Sequence, residues 1–398
     1  MIYMKNSLIK NNKKVNNKKV NNKIFNNKRL KVLHLITGLG VGGAERHLLK
    51  TLPLMTFTDN IVCSITSTKD VGDLLEKQGI KVYYLGYNSP FKIGSVIRAY
   101  HKIISEQDPD IVCTYLIHAD IFGRLFTETS IPVICNLRVT EQKKYLLLLE
   151  RLTSNRVDRY IANSNSVKDF YVKNQHILAQ RIWVVPNGID VKSIDNIRSS
   201  KGILESTDKN LKGRFIISCI GRLHDQKGQI YLINALHQII SEDRINSKDW
   251  SNILILFIGE GENRNMYQNE VKRLGLSKYV RFLGQRKDVL SLLKCSKLFV
   301  LPTNYEGMSN SILEAMACNV PIITTNIAEN KELLRNHKDA LLVDPKDSSQ
   351  LAEAIVWAIN NTLKMQSYAK SAAKKVNDYD IKKTAVLFEQ KYQQVINR

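Results

Sequence analysis

A chain of 398 residues is long for one ordinary core and predicts two domains, and a hydrophobic content of 43% is enough to fill both. The net charge of +22 excludes an acidic surface and suits anionic substrates, an anionic membrane or nucleic acid. No run approaches the ~18 consecutive apolar residues of a membrane-spanning helix.

Residues 1–29 come first, with the five-residue repeat "NNKKV NNKKV NNKIF NNKRL" running from Asn11 to Leu30. Eight lysines and one arginine without an acid give residues 1–29 +9 of the total charge. Their few apolar residues cannot offset the entropy of ordering, which predicts a disordered basic leader. It lacks the apolar segment of a secretory signal.

The first strand, "KVLHLIT", runs into Gly38-Leu39-Gly40-Val41-Gly42-Gly43 and then a helix. Gly38, Gly40 and Gly43 fit G-x-G-x-x-G, the dinucleotide fingerprint. That fingerprint needs an acid at the end of the second strand to hold a ribose. Here the second strand ends "SITSTK", with no acid before Asp70, so a dehydrogenase is set aside.

"NIVCSIT", "IKVYYL", "DIVCTYL", "IPVICNL", "VDRYIAN" and "RIWVVP" continue the pattern, with helical stretches between them. Apolar strands alternating with helices predict a parallel sheet covered on both faces. His118 begins the helix after the fourth strand, and Arg124 on that helix is either structural or acceptor-facing. Arg138, in "NLRVTEQ", is a candidate acceptor contact. "TEQKKYLLLLERLTSNRVDR", residues 140–159, is either a half-buried helix with a charged face or a basic patch that meets an anionic membrane.

The first domain is placed at 30–195 and a polar linker at 196–212. A second doubly wound α/β domain follows at 213–379, built on "GRFIISCIG", "NILILFIG", "KYVRFLG", "KLFVLPT", "VPIITT" and "DALLVD". The last helix, 380–398, is amphipathic through Val386, Leu387 and Tyr392. Six cysteines without C-x-x-C spacing read as buried free thiols of a reducing cytoplasm.

Ligands of open parallel sheets bind beyond the carboxyl ends of the strands, and the charged residues fall there. Arg222 at a strand end and Lys227 at a helix start can converge on a diphosphate, helped by the helix N-terminus. Glu306 follows "KLFVL", and Glu314 sits about one turn inside the next helix, placed to meet the hydroxyls of a ribose. Between the two acids, the backbone N–H groups of Gly307, Met308 and Ser309 can meet phosphate or sugar. Two D-x-D strings, Asp108-Pro109-Asp110 and Asp378-Tyr379-Asp380, do not follow strand ends in a cleft, so no metal site and no cofactor are expected. "GQRKD", 284–288, is a candidate base-contacting loop.

Glu306-x7-Glu314, together with Gly221-Arg222, Lys227-Gly228 and "VPNGID" at 185–190, resembles the retaining glycosyltransferases of family 4. The resemblance covers residues 31–398 and implies the GT-B architecture: two Rossmann-like domains facing a central cleft. It implies that Gly42 and Gly43 line the cleft opposite the donor, that His118 faces the donor sugar as a catalytic group, and that Glu306 supports that sugar. It also implies transfer with retention, a last helix that crosses back to the first domain, and docking of the first domain on a membrane, while the Arg222 and Lys227 cations make a metal unnecessary. The expected substrates are a nucleotide-sugar, UDP favoured over GDP, and a glycan or polyprenyl-linked acceptor. The expected setting is polysaccharide or lipopolysaccharide assembly in the cytoplasm, peripheral on the cytoplasmic face of the inner membrane. Paired carboxylates alone would suit a glycoside hydrolase, but a hydrolase has no use for the Arg222/Lys227 phosphate site. A basic nucleic-acid-binding protein and an inactive scaffold of the same fold are the remaining alternatives. No specific nucleic-acid motif supports the first.

Overall fold

Short apolar runs separated by amphipathic stretches build two parallel sheets in this computed structural model, which describes residues 29–140, 144–191, 194, 213–242 and 252–397. The 1–29 leader, apart from Arg29, and the 196–212 linker lie outside the described residues. The first sheet holds β1 (Leu30–Ile36), β2 (Thr58–Ser64), β3 (Lys81–Tyr84), β4 (Ile111–Tyr115), β5 (Val133–Leu137), β6 (Arg159–Ala162) and β7 (Ile182–Val184), in the order β3-β2-β1-β4-β5-β6-β7. The second holds β8 (Phe215–Ile220), β9 (Ile253–Ile258), β10 (Val280–Phe282), β11 (Leu298–Leu301), β12 (Ile322–Thr325) and β13 (Leu341–Val343), in the order β10-β9-β8-β11-β12-β13.

Each strand overlaps one of the apolar runs picked out in the sequence, with β1 and β2 beginning one and two residues ahead of theirs, at Leu30 and Thr58. The central strands β4, β5 and β9 are buried at every residue, as strands covered on both faces must be. β1 pairs with β2 from Leu30↔Thr58 to Ile36↔Ser64, and with β4 from Val32↔Ile111 to Ile36↔Tyr115. Strand order therefore reverses between β1 and β4, and in the second sheet between β8 and β11. These two reversals open the crevices where such folds bind ligands.

The covering helices follow ordinary rules. In Ile93–Gln107 the buried residues Val96, Tyr100, Ile103 and Ile104 form one stripe, and Asp108 ends the helix in a left-handed conformation (φ 47°). Ser164 caps Asn165–Gln175 by accepting a hydrogen bond from the Val167 N–H at 3.1 Å.

The last helix, Ile381–Ile396, packs on the first domain. Ala385, Phe388, Tyr392 and Val395 share a core with Val32, Ile36, Leu48 and Ile111. Val386 points out, contrary to the sequence expectation, because the 3.6-residue stripe runs through Ala385 and Phe388 instead. The Glu389 carboxylate accepts from the Phe57 N–H at 2.5 Å, 332 residues away in sequence. Five of the cysteines are buried and none of the six is in a disulfide, but Cys295 is exposed, which corrects the expectation for that one.

Beneath the β1/β4 crevice lies a buried polar network. His34 is fully buried, with Nδ1 3.2 Å from the Tyr115 hydroxyl and Nε2 3.0 Å from Asn60 Oδ1. Burial pushes its imidazole from 6.5 down to about 4, against a small upward pull from Asn60. Above pH 6.5 both folded and unfolded chains leave His34 neutral, and its full contribution is present. Below that, the unfolded chain takes up a proton that the folded protein refuses until about pH 4. Stability is expected to fall across this window by up to about 3 kcal/mol from His34 alone. Urea midpoints at pH 7 and pH 4.5, compared between wild type and His34→Gln, test this. An equal drop in both proteins would refute it.

Candidate active site

The second crevice gathers residues from the two strands that flank the reversal. Gly221 and Arg222 follow β8, and a single helical turn, Asp225–Lys227, leads through Gly228 into the helix Gln229–Ser241. Gly228 has φ 65°, and a Cβ there would strike the Pro302 carbonyl, so both conformation and space demand glycine. The loop after β11 lies alongside. Thr303 Oγ1 and the Asn304 N–H each donate to the Gln226 carbonyl at 2.8 Å, and Gln226 Nε2 donates to the Tyr305 carbonyl at 3.0 Å. This stitching brings the Lys227 ammonium directly onto the Glu306 carboxylate, both largely buried. Thr303 Oγ1 lies 3.1 Å from the same carboxylate oxygen. Arg222 is exposed at the strand end, and its charge bears on Glu45 of the first domain.

Ser309 is the N-cap of the helix Asn310–Ala317, with its hydroxyl 3.1 Å from that of Ser311. Glu314, in that helix, is buried, and Lys50 Nζ of the first domain stands 3.5 Å from its carboxylate. The two face a cavity between the domains that Arg46, Gly188 and Asn310 also line. Gly307 forms an antiparallel bridge with Val139, and a Cβ on it would run into the Arg138 carbonyl. Only glycine lets the two loops approach so closely. Met308 is held by Asn187 of "VPNGID": the Asn187 N–H meets its sulfur at 3.2 Å, and Asn187 Nδ2 donates to its carbonyl at 2.9 Å and to Asn310 Oδ1 at 3.0 Å.

On the first-domain side, the glycine loop ends at Gly42, the N-cap of the helix Gly43–Thr51. A Cβ on Gly43 would lie 3.9 Å from Asn310 Nδ2, so this loop does face the second domain. The Glu45 carboxylate folds back over Gly42. Burial raises its pKa, against its own backbone hydrogen bond, Arg222 and Arg138. His118 is exposed in the first turn of Ile117–Phe126, just after Leu116, whose φ of 72° turns the chain sharply out of β4. The Ala119 N–H donates to Thr37 Oγ1 at 3.3 Å and ties this turn to the glycine loop. Arg138 directly follows β5 with its guanidinium buried, and burial pushes it down to about 10.

Arg124 is structural. It is fully buried and bonds Glu150 at 2.5 Å, with Thr153 Oγ1 at 3.1 Å. Glu150 and Leu146 are the buried face of Lys144–Thr153, whose other face exposes Tyr145, Leu148, Leu149 and Leu152. Of the D-x-D strings, Asp110 accepts from the Lys31 N–H at 2.8 Å and Asp380 caps the last helix through the Lys382 N–H at 3.0 Å. Among the described residues no group of three or more His, Cys, Asp or Glu could hold a metal ion, and no helix is long and apolar enough to cross a membrane. In "GQRKD", Arg286 pairs with Asp288 at 2.8 and 2.7 Å.

Several residues of this junction escaped the sequence: Lys50, Glu45, Asn187 and Glu332. The Glu332 carboxylate accepts from the Asn165 N–H at 3.0 Å and the Ser166 N–H at 2.5 Å, so the second domain caps a first-domain helix. The glycine loop that Glu45 follows and "VPNGID" held the only local signal for Glu45 and Asn187. Lys50 and Glu332 had none.

The two halves match two family models in succession, "Glycosyltransferase Family 4" over residues 41–193 and "Glycosyl transferases group 1" over residues 203–376. The chain is 27% identical over 377 residues to the UDP-Gal:alpha-D-GlcNAc-diphosphoundecaprenol alpha-1,3-galactosyltransferase of Escherichia coli, covering 89% of this chain and 94% of that one. It is 21% identical over 370 residues to the N-acetylgalactosamine-N,N'-diacetylbacillosaminyl-diphospho-undecaprenol 4-alpha-N-acetylgalactosaminyltransferase of Campylobacter jejuni, covering 88% of this chain and 96% of that one. The solved structure of Anabaena Alr3699/HepE in complex with UDP matches with a TM-score of 0.77 at 21% identity, over 92% of this chain and 100% of that chain. Two Rossmann-like parallel sheets in this arrangement are the GT-B fold.

Proposed function

The chain belongs to glycosyltransferase family 4, and on that premise we propose that it moves a sugar from a UDP-sugar to a lipid-linked or other glycan acceptor, with retention of configuration, in polysaccharide or lipopolysaccharide assembly. The observation that carries this reading is the meeting of Lys227 and Glu306 at the β8/β11 reversal, beside Arg222 and a helix N-terminus. That crevice is built for a diphosphate with a neutral, hydroxyl-rich group next to it.

In the donor-free cleft Glu306 serves as the counterion of Lys227. A bound diphosphate takes over that role, with Arg222 and the N–H groups of Gly307, Met308 and Ser309, and frees Glu306 for the hydroxyls of the donor sugar. His118 hydrogen-bonds that sugar from the opposite wall, beside Gly42 and Gly43. Glu314 exchanges Lys50 for the ribose. As the anomeric C–O bond breaks, charge builds on the departing diphosphate, and these fixed cations stabilise it. The acceptor hydroxyl attacks from the same face, and its proton passes to the leaving phosphate. In this reading the fixed cations stand in for a metal.

The acceptor enters past Arg138. The names of the two bacterial relatives, which carry diphosphoundecaprenol acceptors, favour a polyprenyl-linked glycan. The exposed Tyr145, Leu148, Leu149 and Leu152, flanked by Lys144, Arg151 and Arg156, suit shallow insertion into an anionic bilayer at the cytoplasmic face of the inner membrane.

A thermal-shift panel with UDP, GDP, ADP and their sugar conjugates tests the donor. A ligand at 100 times its Kd adds about 2.7 kcal/mol to the native state. A shift with UDP that is lost in Glu314→Ala is the expected outcome. No shift with any nucleotide would end the transferase reading.

A further inference from the structure

Arg124 and Arg138 of the first domain have buried guanidinium nitrogens, and they are treated very differently. Arg124 spends its donors on Glu150, Thr153 and the Cys135 sulfur. Arg138 spends none: Nη1 and Nη2 are both buried and have no hydrogen-bond partner among the described residues. Its backbone carbonyl alone is engaged, by Asn163 Nδ2 at 3.0 Å. A guanidinium without an acceptor in a dry site is strongly unfavourable, so a purely structural arginine would not be left this way.

The position is as telling as the missing partner. Arg138 follows β5, Tyr115 ends β4, and the glycine loop follows β1, and these three strands are neighbours in the first sheet. Arg138 therefore lies one strand along from the β1/β4 reversal, and the nine-residue helix Gly43–Thr51 begins on the β1 side of it. Around it stand Tyr115, Cys113 and Tyr392, which burial keeps protonated and neutral, and His47, which burial keeps unprotonated. Glu45 bears on it with a negative charge but is not within hydrogen-bonding reach, and its carboxylate lies over the helix's own first turn.

We infer that Arg138 and the amino end of the Gly43–Thr51 helix form an anion pocket in the first domain that receives a phosphate group of the acceptor, an assignment that rests on the transferase reading above. A guanidinium offers a planar, two-pronged match to phosphate oxygens, and a helix N-terminus offers N–H groups, here with that of Glu45 taken by its own carboxylate, and a positive dipole end. The donor's diphosphate already has Arg222 and Lys227 in the other domain, beyond the Val139–Gly307 bridge. A phosphate held at Arg138 would belong to the second substrate and would fix where its sugar hydroxyl lies. Glu45 holds the pocket's place until that phosphate arrives.

Diphosphate can come from either substrate, so the test separates the sources. Inorganic pyrophosphate is titrated calorimetrically into the full-length protein saturated with UDP. Wild type is expected to bind one further equivalent, and Arg138→Gln to bind it about tenfold or more weakly, with UDP affinity unchanged. Arg138→Lys should recover part of the loss. The melting midpoint of Arg138→Gln should stay level or rise, because a buried unpaired charge has been removed.

Undiminished pyrophosphate binding by Arg138→Gln would overturn the assignment. So would loss of UDP and pyrophosphate together with an unchanged midpoint, which would make Arg138 a donor group. A lowered midpoint in Arg138→Gln would make it structural. If wild type binds no UDP at all, the donor reading fails by itself, and the pyrophosphate titration still reports on Arg138.

Discussion

Lys227→Ala is expected to lower kcat/KM by about 10²–10³-fold, the usual effect of removing one preorganised group that stabilises a leaving charge. The loss has two parts. The diphosphate forfeits a cation aimed at it from the start of the helix. Glu306, with 6% of its side chain exposed, is also left buried without its counterion. Without that contact the carboxylate is no longer held in the position from which it meets the sugar hydroxyls. Lys227→Arg keeps the charge but not the compact head that meets the same Glu306 oxygen as Thr303, and should recover only part of the activity. Initial rates with the donor identified by thermal shift, together with a circular-dichroism check of folding, decide the matter. A folded Lys227→Ala protein with activity within a few-fold of wild type would remove Lys227 from the site.

Glu150→Ala is expected to destabilise the first domain by about 3–5 kcal/mol, because it strands Arg124 in a dry interior. Both side chains of this pair are 0% exposed. Asp120, whose pKa burial lifts to about 7, does not substitute, since it is bonded to Thr114 Oγ1 at 2.5 Å. Replacing both partners, as Arg124→Met with Glu150→Leu, removes the charges together and should restore most of the loss. Urea midpoints of the three proteins make the comparison. If the single and double variants unfold at the same urea concentration, the pair does not hold the helix Lys144–Thr153 in place.

Strands were the most legible part of the sequence because their signal is local. "DIVCTYL" and "NILILFIG" are apolar at nearly every position, and only a strand covered on both faces uses such a run. Arg222, Lys227 and Glu306 were placed for a related reason: each lies two to seven residues past a strand end, where this class of sheet binds ligands, with Glu314 about one turn inside the helix that follows. Arg124 was not, since its partner is 26 residues away and meets it only once both helices have packed on the sheet. The Lys50–Glu314 and Glu332–Ser166 contacts were further out of reach, because each joins residues of different domains across the cleft. The last helix was misread at Val386 because hydrophobicity outweighed spacing, and the small Ala385 beside it gave no sign of facing the core.

The path of the chain has a consequence for how the protein is made. The second domain is one continuous stretch, but the first domain's core includes Phe388, Tyr392 and Val395, and Glu389 completes the hydrogen bonding at the start of β2. On a ribosome adding about 5–20 residues per second, the strands begun first wait on the order of tens of seconds for the helix that closes them. Through that interval the face of β1 and β4 that Phe388 and Tyr392 will cover stays open, while the later domain can already be finished. The half of the molecule that is begun first is completed last, and that open sheet face is the surface a chaperone would have reason to guard during synthesis.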